Sequence, residues 1–321
     1  MFLKKLFGVV LCLFVTARLS SADLGDITSP VDSGKANINE EEVEFIIYQN
    51  SETTGFQKLA VGQTVSIGEE KDIRIIIHGY AENPDLDWVV KMKDAFLSKG
   101  YVVIVVDWSK AAVNYELGAD NVKQLGLYVG QFIIASGLEI SKIEIVGSCL
   151  GAHAAGHAGK YIREQTPQQV SKIFALDTAA KKFELPEVPE QNRLSRNDAI
   201  YVVLIHTDCK QWGYKAPIGL VDFYVNGGNV QPGCIGVGVD EDVCSHVRAN
   251  YVFIESIMTE VQADEVTVVI KDGLVISTPV VDPSTARTAT FGEQVEQLVV
   301  PGSFVLQTQA VSPFLQITVK L

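Results

Sequence analysis

The chain has 321 residues, 47% of them hydrophobic, and carries 39 Asp and Glu against 26 Lys and Arg, a formal charge of −13. That length and apolar content suffice to bury a sizeable core, while the acidic balance offers no electrostatic attraction to nucleic acid or anionic membranes. A lipid whose acyl chains enter an apolar pocket needs no such attraction and stays open as a partner.

The first residues, "MFLKKLFGVVLCLFVTARLSSA", set Lys4 and Lys5 before an apolar run and end on the small residues Ser20 and Ala22. This is the layout of a secretory signal, so residues 1–22 are expected to be removed and the protein to be secreted and extracellular. Cleavage there takes away Lys4, Lys5 and Arg18, three positive charges, and moves the formal charge from −13 to −16. No other stretch is apolar enough to form a transmembrane segment. Residues 23–42 are polar and without period, which reads as a loose N-terminal segment. Residues 43–321 are expected to form one domain, with 260–321 as a β-rich tail.

Within that domain "VEFIIYQ" and "IRIIIHGY" are short, β-branched and stopped by turn formers, as buried strands are. Leu86 to Lys99 has helical spacing, "YVVIVVDW" is another buried strand, and Asn114 to Ser136 places apolar residues every three to four positions. "KIEIV" reads as a strand, "GAHAAGHAGKYI" as a small-residue helix, and "VSKIFALD" and "AIYVVLIHTD" as two further strands. Strands alternating with helices in this way give a mostly parallel central sheet with helices on both faces. After the helical "SHVRANYVFIESIM" the pattern turns to "DEVTVVIKDGLVIS", "ARTATFGEQVEQLVV" and "GSFVLQTQAVSPFLQITVKL", alternating or β-branched, with an Asp-Gly suited to a hairpin. These form the β-rich C-terminal extension.

The chemistry gathers at "VGSCLGAH". A nucleophile raised on a sharp strand-to-helix turn needs glycine two positions before and two after it, where side chains would clash. Gly147 and Gly151 meet that rule for Cys149, whereas Ser148 would have Val146 and Leu150 in those places. In the α/β-hydrolase fold the chain order is nucleophile, acid, histidine. Asp177 ends the next strand and is the candidate acid. His78, His153 and His157 precede it, which leaves His206 and His246 as candidate bases. "IIIHGY" brings the backbone N–H of Tyr80 toward a reacting carbonyl, and the N–H of Leu150 follows the nucleophile, so these two make the candidate oxyanion hole. Cys234 and Cys244 flank nine residues and read as a disulfide pinning a loop. Cys209 is either free or buried, or paired with Cys149. No metal or cofactor is called for.

The ordered segments "IIIHGY", "VVDWS", "VGSCLGAHAAGHAGK", "ALDTA", "LIHTD", "PIGLVDFYVNGGNVQPGC", "CSHVRA" and "GSFVLQTQAVSPF" resemble the pancreatic-lipase superfamily, especially its short insect forms, which include venom phospholipases A1 and yolk proteins. The resemblance implies an α/β-hydrolase fold, Asp177 and His246 serving the apex nucleophile, and lipid esters as substrates. It also implies that the Cys234–Cys244 loop is a short lid of the phospholipase A1 kind. The chain departs from that pattern with Ser148-Cys149 where His-Ser is usual, with Thr178 where proline follows the acid, and with Leu220 and Val225 where His and Pro are usual. A thiol there is easily ionised beside histidine and attacks well, but the sulfur is also the better leaving group from a tetrahedral intermediate. The expectation is an acyl-enzyme on Cys149 with slow turnover of alkyl esters. The alternative is an impaired homologue that binds or stores lipid, as the yolk proteins of that superfamily do.

Overall fold

The computed structural model describes residues 38–49, 56–67, 71–112, 114–184, 187–234, 239–280, 284–296 and 300–315. The expected leader lies outside them, as does the 23–42 segment up to residue 37. From Ile38 onward that segment is folded rather than loose. Ile38 is buried, the Asn39 N–H donates to Glu42 Oε2 at 2.8 Å, and Glu40–Glu42 forms one 3-10 turn.

The strands are β1 (Glu44–Tyr48), β2 (Phe56–Ala60), β3 (Ile73–Ile77), β4 (Val102–Asp107), β5 (Ile143–Ser148), β6 (Lys172–Leu176), β7 (Tyr201–His206), β8 (Val221–Val225), β9 (Gln262–Lys271), β10 (Leu274–Pro279), β11 (Thr288–Thr290) and β12 (Gly302–Leu306). The helices are α1 (Asp87–Ser98), α2 (Tyr115–Ala135), α3 (Leu150–Gln165) and α4 (Val239–Ser256). One sheet runs β10-β9-β12-β8-β7-β6-β5-β3-β4-β1-β2, with β11 pairing β9. Its middle, from β12 to β4, is parallel; β1, β2, β9, β10 and β11 are antiparallel additions at the two ends. The chain has the α/β-hydrolase fold.

The parallel strands β3, β4 and β7 are rich in Val and Ile because both faces are covered. On one face α2 and α3 close a core that includes Phe45, Ile75, Phe132 and Leu150; on the other α1 and α4 close a second that includes Val89, Phe96, Val203 and Phe253. Asn114 starts α2 by accepting the N–H of Glu116 at 2.9 Å. The small residues of α3 let it lie close under its neighbours: a Cβ on Gly126 of α2 would fall 2.6 Å from the Ala154 carbonyl.

The tail is built into this sheet rather than appended to it, because β12 pairs in parallel with β8 and separates it from β9. The expected hairpin forms at Asp272-Gly273, both with φ above +50° (53° and 77°), as a two-residue turn with positive φ at both positions requires. "ARTATFGEQVEQLVV" yields only β11 and a 3-10 turn over Gly292–Gln294; residues 297–299 are outside the described set. Two strands escaped the sequence reading. β2 is an edge strand with mostly exposed side chains, and β8 interrupts its apolar run with Asp222. Arg74 on β3 ties the tail to the middle of the sheet: its guanidinium lies 3.1 Å from both Glu144 of β5 and Glu293 of the tail.

Candidate active site

β5 ends at Ser148 and α3 begins at Leu150, so Cys149 makes the whole turn, at φ 54° and ψ −117°. Left-handed φ in a non-glycine residue costs on the order of 1–3 kcal/mol and persists only where the surroundings enforce it. Here they do. The Cys149 N–H donates to the Leu176 carbonyl at 3.0 Å, and the Cys149 carbonyl accepts the Ala152 and Ala179 N–H groups at 3.3 Å each. The flanking glycines are required by contact: a Cβ on Gly147 would sit 2.6 Å from Ala152 Cα, and one on Gly151 would sit 2.6 Å from the His78 carbonyl oxygen. Gly79 is required for the same reason, since its Cβ would meet the Cys149 Cβ at 2.7 Å.

Asp177 follows β6 directly and is buried, with φ 41°. Its Oδ1 accepts the backbone N–H groups of Thr207 and Asp208 at 2.7 and 3.0 Å, and its Oδ2 takes the His246 Nδ1 hydrogen bond at 2.6 Å. A carboxylate fixed by two backbone donors aims one oxygen and holds the imidazole in one orientation. His246 comes from α4, and the edge of Trp212 rests against its ring at 5.5 Å between centroids. Burial works against a charged imidazole. The Cys149 sulfur and the Asp177 carboxylate outweigh burial and hold His246 well above the ordinary histidine range. Asp177, Asp208 and His246 have ligand-type atoms within 4.8 Å of one another. Within that cluster His246 Nδ1 is bonded to Asp177 Oδ2, and Asp208 is joined to Asp177 through its backbone N–H.

The structure thus brings Cys149, His246 and Asp177 together and separates them from the other histidines. His206 is buried between the Tyr214 carbonyl at 2.8 Å and Asp222 Oδ1 at 3.0 Å, and stacks on Tyr224. His78 holds the strand end through the Gly79 carbonyl. His153 bonds the Ala179 carbonyl and the Leu194 N–H, and burial lowers it to about 3. Cys209 is buried and free, its thiol donating to the Tyr214 carbonyl at 3.3 Å, so no bridge caps Cys149.

A cavity of about 500 Å³ opens over Cys149 and His246, lined also by Tyr80, Tyr115, Ala179 and Trp212, with Glu82 and Lys181 at its polar side. Neither Tyr80 nor Leu150 spends its backbone N–H on a protein acceptor among the described residues. The loop that carries Tyr80 is fastened by Glu82, whose carboxylate accepts the Gly79 N–H at 2.6 Å and the Trp88 indole N–H at 3.0 Å. Sequence reasoning missed Glu82, Asp208 and Trp212, which meet the site only through loop folding.

Cys234 and Cys244 are bonded, with Cα atoms 5.5 Å apart. The nine residues between them are not all loop. Residues 235–238 are outside the described set, and α4 already begins at Val239, so the second half of the expected lid is the first turn of the helix that carries His246. Replacing both cysteines by alanine is expected to remove roughly 2–3 kcal/mol of stability, read as a lower urea midpoint in non-reducing buffer.

A profile of the Lipase family matches residues 17–314. The chain belongs to the Lipase family. Among curated relatives, a phospholipase A1 from Vespula squamosa is 35% identical over 202 residues, which cover 59% of this chain and 66% of that protein. Mouse phospholipase A1 member A is 32% identical over 67% of this chain and 49% of its own length. Human inactive pancreatic lipase-related protein 1 is 33% identical over 67% of this chain and 51% of its own. The matched region thus spans less than two thirds of these relatives. Among the described residues no helix is long and apolar enough to cross a membrane.

Proposed function

We propose that this Lipase-family chain is a secreted hydrolase of lipid or other acyl esters that works through an acyl-enzyme on Cys149, with His246 as acid and base and Asp177 as its orienting carboxylate. The observation that carries this reading is the 2.6 Å bond from His246 Nδ1 to a carboxylate held by two backbone donors, on a ring that also faces a cysteine at a strained turn. The retained Asp177–His246 bond supports the catalytic reading over that of a decayed site. The disulfide supports an oxidising, extracellular setting.

The Cys149 thiolate adds to the ester carbonyl, and the resulting oxyanion is met by the N–H groups of Tyr80 and Leu150, each donor contributing roughly 3 kcal/mol to the transition state. The imidazolium of His246 protonates the leaving alcohol as the thioester forms. Neutral His246 then takes a proton from water, the hydroxide attacks the thioester, and the carboxylic acid leaves with the thiolate restored. Because sulfur departs from the first tetrahedral intermediate more readily than alkoxide, esters with good leaving groups and thioesters are favoured.

Incubation with p-nitrophenyl butyrate is expected to release a burst of nitrophenolate and to add one butyryl group to Cys149 by mass spectrometry. Cys149→Ala loses both signals and Ser148→Ala keeps them. No acylation at any concentration, with a fluorescent fatty acid still bound in the cavity, would overturn the catalytic reading in favour of a lipid carrier.

A further inference from the structure

Asp208 is buried, yet no donor reaches its Oδ1 among the described residues; its Oδ2 accepts only the Trp212 N–H, at 3.1 Å. A buried carboxylate oxygen without a partner is costly, and each such group calls for an explanation. The surroundings supply one. Asp208 lies within 4.8 Å of both the Asp177 carboxylate and the His246 ring, and its own backbone N–H is one of the two that fix Asp177. In the thiolate–imidazolium state of the mechanism proposed above, with the Asp177 carboxylate already bonded to the ring, one imidazolium cannot neutralise a third anion. The carboxyl with the fewest donors is the one that keeps its proton. Of the charged groups near it, Asp177 and Asp242 of α4 oppose its ionisation and His246 favours it, while Lys210 is engaged with Glu241 at 3.3 Å.

We propose that Asp208 is a positioning residue for the reaction, whose carboxyl sets how readily His246 surrenders its proton to a leaving alkoxide. This rests on the acyl-enzyme reading above. Protonated, Asp208 is a neutral neighbour and the imidazolium is a competent acid. Ionised, it adds a second negative charge beside the ring and the proton is held more tightly. Burial, and then the Asp177 charge, push Asp208 up to about 7, so the change falls near neutral pH. Only substrates whose leaving group needs a proton sense it. Aryl esters, which expel a stable phenolate, do not.

The test is the ratio of kcat/KM for ethyl butyrate to kcat/KM for p-nitrophenyl butyrate across pH 6 to 8.5. In the parent protein the ratio is expected to fall roughly tenfold as pH rises, which is what a two-unit rise in the acid's pKa gives at a Brønsted slope near one half. In Asp208→Asn, whose side-chain carbonyl still accepts the Trp212 N–H, the ratio is expected to stay flat within about twofold while the nitrophenyl burst confirms a folded site. A flat ratio in the parent, or the same fall in both proteins, overturns the role of Asp208. Failure of Cys149 to be acylated in the parent overturns the catalytic reading instead, so the two failures are distinguishable; where Asp208→Asn does not fold, Asp242→Asn removes a charge that opposes ionisation of Asp208 and is expected to move the midpoint of the fall to lower pH, an unmoved midpoint overturning the role.

Discussion

Cys149→Ser is expected to invert the substrate preference, raising turnover of ethyl butyrate and lowering that of the corresponding S-ethyl thioester, so that the ratio of the two shifts by about tenfold or more. Two consequences of the exchange act in the same direction. A serine alkoxide is no better a leaving group than the substrate's own alkoxide, so the intermediate no longer favours return to substrate, and protonation of the leaving oxygen by His246 carries it forward. The shorter C–O bond also draws the attacking atom back by a few tenths of an ångström, and displacements of that order matter to rate. Serine accepts the turn only because the backbone at φ 54° is held by the Leu176, Ala152 and Ala179 hydrogen bonds, none of which involves the side chain. Cys149→Ala, by contrast, removes the nucleophile and is expected to lose on the order of 10⁴-fold or more for every ester, leaving what the oxyanion donors and binding supply. Steady-state kinetics with matched oxygen and sulfur esters reads both outcomes. An unchanged ratio in Cys149→Ser would show that acyl transfer does not pass through this atom.

Most of the scaffold was legible because it is written in period. β3 to β7 are short, largely apolar runs that end in turn formers, and Gly147 and Gly151 mark the apex by sterics alone, so Cys149 could be chosen over Ser148 without coordinates. Asp177 was legible as the residue that ends a buried strand. The histidine was not. His206 and His246 are equivalent to a rule of chain order, and resemblance to a family was needed to prefer His246. What separates them physically is Asp222, which binds His206 from β8 at 3.0 Å, and β8 was itself missed because that aspartate breaks its apolar run. The insertion of β12 beside β8 was illegible for a different reason: parallel pairing of Gly302 with Val221 joins residues far apart in sequence, and nothing local in either strand names its neighbour. Asp208, Glu82 and Trp212 belong to loops whose contacts exist only after the sheet has formed.

Gly151→Ala is expected to be strongly destabilising, at about 3–5 kcal/mol. The added carbon would lie 2.6 Å from the His78 carbonyl oxygen and closer still to that of Ile77. Neither is a side chain that can rotate away. Relief requires α3 to back off from the end of β3, and that movement would pull Leu150, buried in the core, and the Cys149 turn with it. A useful comparison is Gly137, which has φ 63° but nothing within 4 Å of its would-be Cβ, so Gly137→Ala meets only the backbone penalty of about 1 kcal/mol. The two variants separate crowding from conformation. In thermal melts Gly151→Ala should fall below Gly137→Ala by several degrees, on the order of 10 °C against the parent, and it should lose the nitrophenyl burst even at temperatures where it remains folded. Equal melting of the two alanine variants would mean that the strand-to-helix turn is not as tightly enclosed as the contacts at Gly147, Gly151 and Gly79 require, and the preorganisation of Cys149 against His246 would go with it.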